Sequence, residues 1–95
     1  MKINNHAELV KTEGSHTWFD WEVFIDEDQS KLEQIDHVTY FLHPTFPDPV
    51  RTVRNPENRF ALKSRGWGEF DVGVRIVYKD GRSEKLTYSL DLSKP

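Results

Sequence analysis

Cysteine is absent from all 95 residues. That excludes a disulfide framework and a thiolate metal site, and a cytoplasmic setting is the expectation that follows. Long apolar runs are missing too. The first ten residues carry no stretch fit for a signal peptide, and none elsewhere reaches the length of a membrane span. Nor is there a basic excess: 13 Lys and Arg stand against 16 Asp and Glu, for a formal net charge of −3 and a pI of about 5.8. A domain that holds nucleic acid by neutralising phosphates needs a basic face, so nucleic acid is not an expected partner. The basic pairs Arg51 with Arg54 and Lys63 with Arg65 are interleaved with acids and uncharged residues, and read as solvated strand edges and loops.

What is present suits one small globular domain spanning residues 1–95, with 36% hydrophobic and 31% charged residues. Aromatics reach 13%, three of them Trp, so some are expected to do more than pack a core. Strand patterns dominate and no helical period or internal repeat stands out. Residues 17–25 are aromatic and β-branched, with Trp18, Asp20 and Glu22 on one face and Phe19, Trp21, Val23 and Ile25 on the other. The acidic stretch at residues 26–31 reads as a loop, too short for a stable helix. Strand character returns at residues 35–42, 50–54, 60–63, 69–78 and 83–92, and residues 6–12 supply a first strand. Asp80-Gly81 is a hairpin signal, Asn55-Pro56 a turn, and Ser64-Arg65-Gly66-Trp67-Gly68 a glycine-flexed loop. Seven to eight antiparallel strands at regular spacing predict an all-β fold, an immunoglobulin-like β-sandwich. The Cys…Trp…Cys pattern of antibody domains is absent, so that relation is architectural.

Catalytic and metal chemistry find little support. His43 stands two residues from Thr45, but a Thr nucleophile also needs an oxyanion hole and an orienting carboxylate, for which Asp48 and Glu69 are candidates in name only. His6, His16 and His37 have no ligand spacing with one another or with carboxylates. No cofactor is expected, and the chain is not expected to be an enzyme.

Two loops are unusual as plain connectors: Leu42-His43-Pro44-Thr45-Phe46-Pro47-Asp48-Pro49-Val50-Arg51, and Gly66-Trp67-Gly68-Glu69-Phe70. With Asp20-Trp21-Glu22-Val23-Phe24 upstream, they resemble the three signature stretches of YEATS domains. The likeness runs from about residue 14 to residue 92. It is closest to the compact prokaryotic branch, in which the domain occurs as a module of larger proteins. The resemblance implies an immunoglobulin-like sandwich that reads acetylated, crotonylated or otherwise acylated lysine in a cleft made by these loops. By motif, Phe46 and Trp67 are the aromatic walls around the acyl amide and Thr45 offers it a hydroxyl. The Trp67 backbone N–H donates to the acyl carbonyl, His43 orients Thr45, and Gly66 and Gly68 flank the wall.

The physics suits those residue types. Acylation removes the charge of lysine and leaves a flat amide on an apolar stem. Aromatic faces stack on that plane, while a hydroxyl and an N–H satisfy its polar atoms. Other readings stay open at this point. Phe46 also suits a plug at the end of the sandwich, Trp21 reads as core, and Trp18 is unassigned. The expected partner is an acylated-lysine peptide. The alternatives are a protein segment bound without acyl recognition, or a methylated lysine drawn by Phe46, Trp67 and Glu69.

Overall fold

The computed structural model describes residues 1–95. Seven strands form two antiparallel sheets packed face to face. Strands β1 (Ile3–Glu13), β2 (His16–Ile25) and β5 (Leu62–Gly66) make a three-stranded sheet in the order β1-β2-β5. Strands β3 (Ile35–Phe41), β4 (Val50–Val53), β6 (Asp71–Tyr78) and β7 (Ser83–Ser89) make a four-stranded sheet in the order β4-β3-β6-β7. The all-β sandwich read from the sequence is the fold observed. No helix is long and apolar enough to cross a membrane.

The period-two patterns bury as expected. Trp21, Val23 and Ile25 of β2 face Val38 and Tyr40 of β3 and Val72, Val74 and Ile76 of β6 across one core, which Leu32, Phe60, Leu90 and Leu92 close at its margins. Each fully buried Val, Leu or Ile contributes about 1.5–3 kcal/mol relative to exposure. Phe24 points to the opposite face of β2 yet is also buried, because the His6 ring from β1 stacks over it at 5.0 Å. The buried polar residue Asn5 ties the C-terminal segment to β1. Its Nδ2 donates to the Asp91 carbonyl at 2.9 Å, and its Oδ1 accepts from the Asp91 N–H and the Tyr88 hydroxyl.

Three local readings need correction. Residues 26–31 are not all loop: Gln29–Leu32 form a single helical turn (α1), whose start is capped by the Asp28 carboxylate accepting from the Lys31 N–H at 3.1 Å. That turn drops Leu32 into the core. Ser64, Arg65 and Gly66 are not loop but the second half of β5, paired with Trp21, Asp20 and Phe19 of β2. Phe60 precedes β5 rather than starting a strand. It sits at a φ of 55° with its side chain fully buried, and its carbonyl accepts from the Tyr40 hydroxyl at 2.7 Å. Burying an aromatic ring and meeting a buried hydroxyl offsets a left-handed conformation that costs on the order of 1–3 kcal/mol.

The β1–β2 hairpin turns on Gly14 and Ser15, with Gly14 at a φ of 61°. Glycine at the first of two loop positions is the chemistry a tight hairpin asks for. This turn, the β3–β4 loop and the crossing from β5 to β6 gather at one end of the sandwich.

Candidate ligand-binding cleft

The β3–β4 loop is held in shape before anything binds. The Leu42 N–H donates across it to the Pro49 carbonyl at 2.7 Å, and the Phe46 N–H donates to the His43 carbonyl at 3.0 Å. Arg51 caps the turn, donating from Nε to the Asp48 carbonyl and from Nη2 to the Pro47 carbonyl. Three prolines in seven residues remove further freedom.

Within that loop, His43 Nδ1 lies 2.8 Å from the Thr45 hydroxyl and accepts from the Thr45 backbone N–H at 3.3 Å. A ring nitrogen that accepts a backbone N–H carries no proton, so the imidazole proton is on Nε2. The Thr45 hydroxyl proton is then spent on His43, and Thr45 Oγ1 faces outward as an acceptor. That polarity suits an incoming amide N–H.

Opposite stands Trp67, which follows directly on β5. The residue is 54% exposed, and its ring lies tilted against His16 with centroids 4.0 Å apart. Its backbone N–H donates to no protein acceptor. Phe46 lies across the gap and forms no ring contact with Trp67. It is half-buried, tilted on Phe70 at 5.2 Å and set edge-on to Trp21 at 6.2 Å. The sequence left two roles open for Phe46; the ring packs against the core and also lines the open cleft.

Gly66 sits between the walls, where a Cβ would meet Phe46 Cζ at 3.4 Å and Trp21 Nε1 at 3.5 Å. That indole nitrogen is buried without a hydrogen-bond partner beneath the cleft floor. The resulting open cleft has a volume of about 510 Å³ and brings together His43, Thr45, Phe46, Gly66, Trp67 and Gly68. Three further aromatic or apolar side chains complete it: Trp18, Phe70 and Pro47.

The charged groups at the rim are already engaged. Arg65 holds Asp20 in a two-point ion pair at 2.6 and 3.2 Å, which keeps the Asp20 carboxyl below the usual range and raises the guanidinium. Glu69 accepts the Leu92 N–H at 2.9 Å, so the carboxylate considered for a cation site is turned toward the backbone. The cleft is therefore mainly aromatic, with its charged neighbours Arg65 and Glu69 engaged and the Trp67 N–H without a protein acceptor. No group of three His, Asp or Glu side chains is placed to hold a metal.

Sequence reasoning left Trp18 unassigned and gave Phe70 a place in the second loop motif but no role in the site. The register supplies what was missing: Phe19 pairs with Gly66, so Trp18 and Trp67, their immediate neighbours, leave the sheet at the same end and both line the cleft. His16 was weighed only as a metal ligand. The signal that it belongs beside the cleft is its position two residues before Trp18 on the same strand face.

Comparison with known proteins bears on the family and the fold. The family model described as the prokaryotic YEATS domain matches residues 19–91. The AF-9 homolog of Schizosaccharomyces pombe is 38% identical over 86 residues, covering 85% of this chain and 36% of that protein. Transcription initiation factor TFIID subunit 14 of the same yeast is 50% identical over 50 residues, covering 53% of this chain and 20% of that protein. The chain thus spans about a fifth to a third of the curated relatives it matches. Among solved structures, the Yaf9 YEATS domain recognizing an H3K122suc peptide superposes with a TM-score of 0.76 at 30% identity, covering 96% of this chain and 70% of that one. The same domain bound to H3K27ac gives 0.76 at 27% identity, covering 98% and 71%. The relatives are eukaryotic although the matching model is prokaryotic. Seven strands in the same sandwich, the paired loops at one end and a family match over most of the length make this chain a member of the YEATS domain family.

Proposed function

We propose that this single sandwich is a non-catalytic reader module whose cleft takes the side chain of an acylated lysine, acetyl- or crotonyl-type, from a protein partner. One observation carries the reading: Thr45, Phe46 and Trp67 line one open cleft, with the Thr45 hydroxyl held by His43 and the Trp67 N–H without a protein acceptor. The acyl amide lies flat between the Phe46 and Trp67 rings. Thr45 Oγ1 accepts its N–H, with His43 fixing the hydroxyl, and the Trp67 N–H donates to its carbonyl. Gly66 and Gly68 let backbone and ligand approach closely on either side of Trp67. Two ring contacts at roughly 0.5–1.5 kcal/mol each and two hydrogen bonds of similar net worth sum to about 2–6 kcal/mol; with burial of the apolar lysine stem added and the cost of ordering subtracted, the expected affinity is modest, on the order of 1 μM to 1 mM.

A neutral amide suits this cleft better than a cation. Thr45 presents a single neutral acceptor, and Glu69 and Asp20 are both engaged elsewhere. A second reading, a protein-binding surface without acyl recognition, draws on the packing of Phe46 against Phe70 and Trp21.

The test is a titration of acetyl-lysine, crotonyl-lysine and unmodified peptides into isotope-labelled protein. Saturable amide shifts confined to residues 43–46 and 66–69, lost in a folded Trp67→Ala variant, are expected. Equal response to the unmodified peptide, or none at millimolar acyl peptide, would transfer the assignment to the second reading.

A further inference from the structure

Arg65 lines the cleft beside Trp67 and also borders the shallow groove that runs over β1, β2 and β5, so its guanidinium stands where the two meet. The register puts it there. Arg65 pairs with Asp20 in the ladder between β2 and β5, and Trp67 follows two residues later, about 6–7 Å further along an extended chain. Of the charged side chains lining the cleft, Glu69 is turned to the Leu92 N–H, whereas Arg65 is engaged along one edge only. Asp20 takes Nε at 2.6 Å and Nη2 at 3.2 Å, the side-on pairing of a planar fork that carries five N–H donors. The end-on edge, formed by Nη1 and the second hydrogen of Nη2, meets no protein acceptor. Two parallel N–H groups on a half-exposed cation match the two oxygens of a second carboxylate. An acetyl or crotonyl chain ends in a methyl group and makes no use of that edge. A longer chain ending in a carboxylate, such as succinyl or glutaryl, carries the matching group at its tip.

We propose that Arg65 is a specificity-determining residue that favours acyl chains ending in a carboxylate, received on its free edge, while Asp20 sets how strong that preference is. This rests on the reading of the cleft as an acyl-lysine site. Asp20 fixes the plane of the fork before binding, so little ordering of the guanidinium remains to be done. Its own negative charge offsets part of the attraction. Both side chains of the pair are half exposed, so the preference is moderate and weakens with salt.

The experiment titrates the full chain and its Arg65→Gln, Arg65→Lys and Asp20→Asn variants with matched acetyl-, succinyl- and succinamyl-lysine peptides, the last being the uncharged amide of succinyl. The readout is the ratio of succinyl to succinamyl affinity within each protein, which a general loss of folding or of cleft shape leaves unmoved. The wild type is expected to favour succinyl about threefold to fivefold at low salt, and less at high salt. The ratio should fall to about one in Arg65→Gln, lie between in Arg65→Lys, which keeps the charge and loses the fork, and rise in Asp20→Asn. A wild type that binds acetyl-lysine but does not distinguish succinyl from succinamyl would overturn this proposal alone. So would a preference that survives Arg65→Gln, because another group, such as His43, would then supply it. Acetyl-lysine peptides with aspartate or asparagine beside the lysine form the last arm. An equal gain from that aspartate would place the carboxylate on the peptide flank instead of the acyl chain, against the proposal. If no acyl peptide binds the wild type, the functional reading fails and takes this inference with it.

Discussion

Arg51 reaches back over the β3–β4 loop to Asp48, and its Nε donates to the Asp48 carbonyl at 2.9 Å while Asp48 holds a left-handed φ of 46°. The second bond, to the Pro47 carbonyl, makes this a two-point clamp that only a planar guanidinium fits. The clamp sits directly behind Phe46, so its effect is expected in binding more than in folding. Arg51→Lys, a point donor, is predicted to weaken acyl-peptide affinity about threefold to tenfold with a melting temperature within a few degrees of wild type. Calorimetric titration alongside thermal unfolding tests this, and unchanged affinity would remove the clamp from the account of the site.

Tyr40→Phe is predicted to destabilise the sandwich by about 1–3 kcal/mol, because it strips the partner from a buried carbonyl. The lost bond, Tyr40 hydroxyl to Phe60 carbonyl, links β3 to the segment entering β5 and so helps hold the two sheets together. Urea unfolding measures it, and a loss below about 0.5 kcal/mol would mean that the carbonyl finds water instead.

Gly66 separates a tolerable change from a disruptive one. The methyl of Gly66→Ala meets Phe46 and Trp21 at ordinary contact distance, so stability is expected to stay within about 1 kcal/mol of wild type. Gly66→Val overfills the same space, is predicted to cost about 1–3 kcal/mol, and displaces the Phe46 ring from the cleft. Peptide affinity should fall in the order Gly, Ala, Val, and an Ala variant binding no worse than Gly would show that Phe46 has room to yield.

Alkaline stability follows from Tyr78. Burial, and then the 2.6 Å bond it donates to Glu84, raise its hydroxyl from 10.0 to about 12. A raised pKa means that folding favours the protonated hydroxyl. The contribution is therefore complete below pH 10 and is lost as pH rises toward 12. Urea midpoints measured across that window should fall, and Tyr78→Phe should flatten part of the decline. An unchanged slope in that variant would assign the decline to other groups, among them Tyr40, which burial also shifts upward.

Strands were legible wherever local alternation carried the information. The inward face of β2 was read residue by residue because one side of that strand is apolar. Where membership depends on a distant partner, local pattern was silent. Ser64, Arg65 and Gly66 have no β-branched residue, and they join the sheet through pairing with β2 and the Arg65–Asp20 ion pair. The helical turn at Gln29–Leu32 depends on one capping carboxylate, a signal easily lost in an acidic run. The two loop motifs named His43, Thr45, Phe46, Gly66, Trp67 and Gly68 as site residues, and the structure gathers them along one cleft. Trp18 and His16 were not assigned there, because their place depends on the register between β2 and β5, which no single stretch of sequence encodes.

Phe46 and Trp67 are mounted on different sheets. The loop bearing Phe46 joins β3 to β4 in the four-stranded sheet, while Trp67 continues β5 of the three-stranded one. Mechanically the domain is a calliper whose jaw opening reads the relative displacement of its two layers. A load applied at β1 or β7, one outer strand of each sheet, would shift one layer relative to the other while leaving the ladders within each sheet intact. Close-packed side chains between the layers pass that displacement on with little loss, so a neighbour docked far from the cleft would widen or narrow it without touching either jaw.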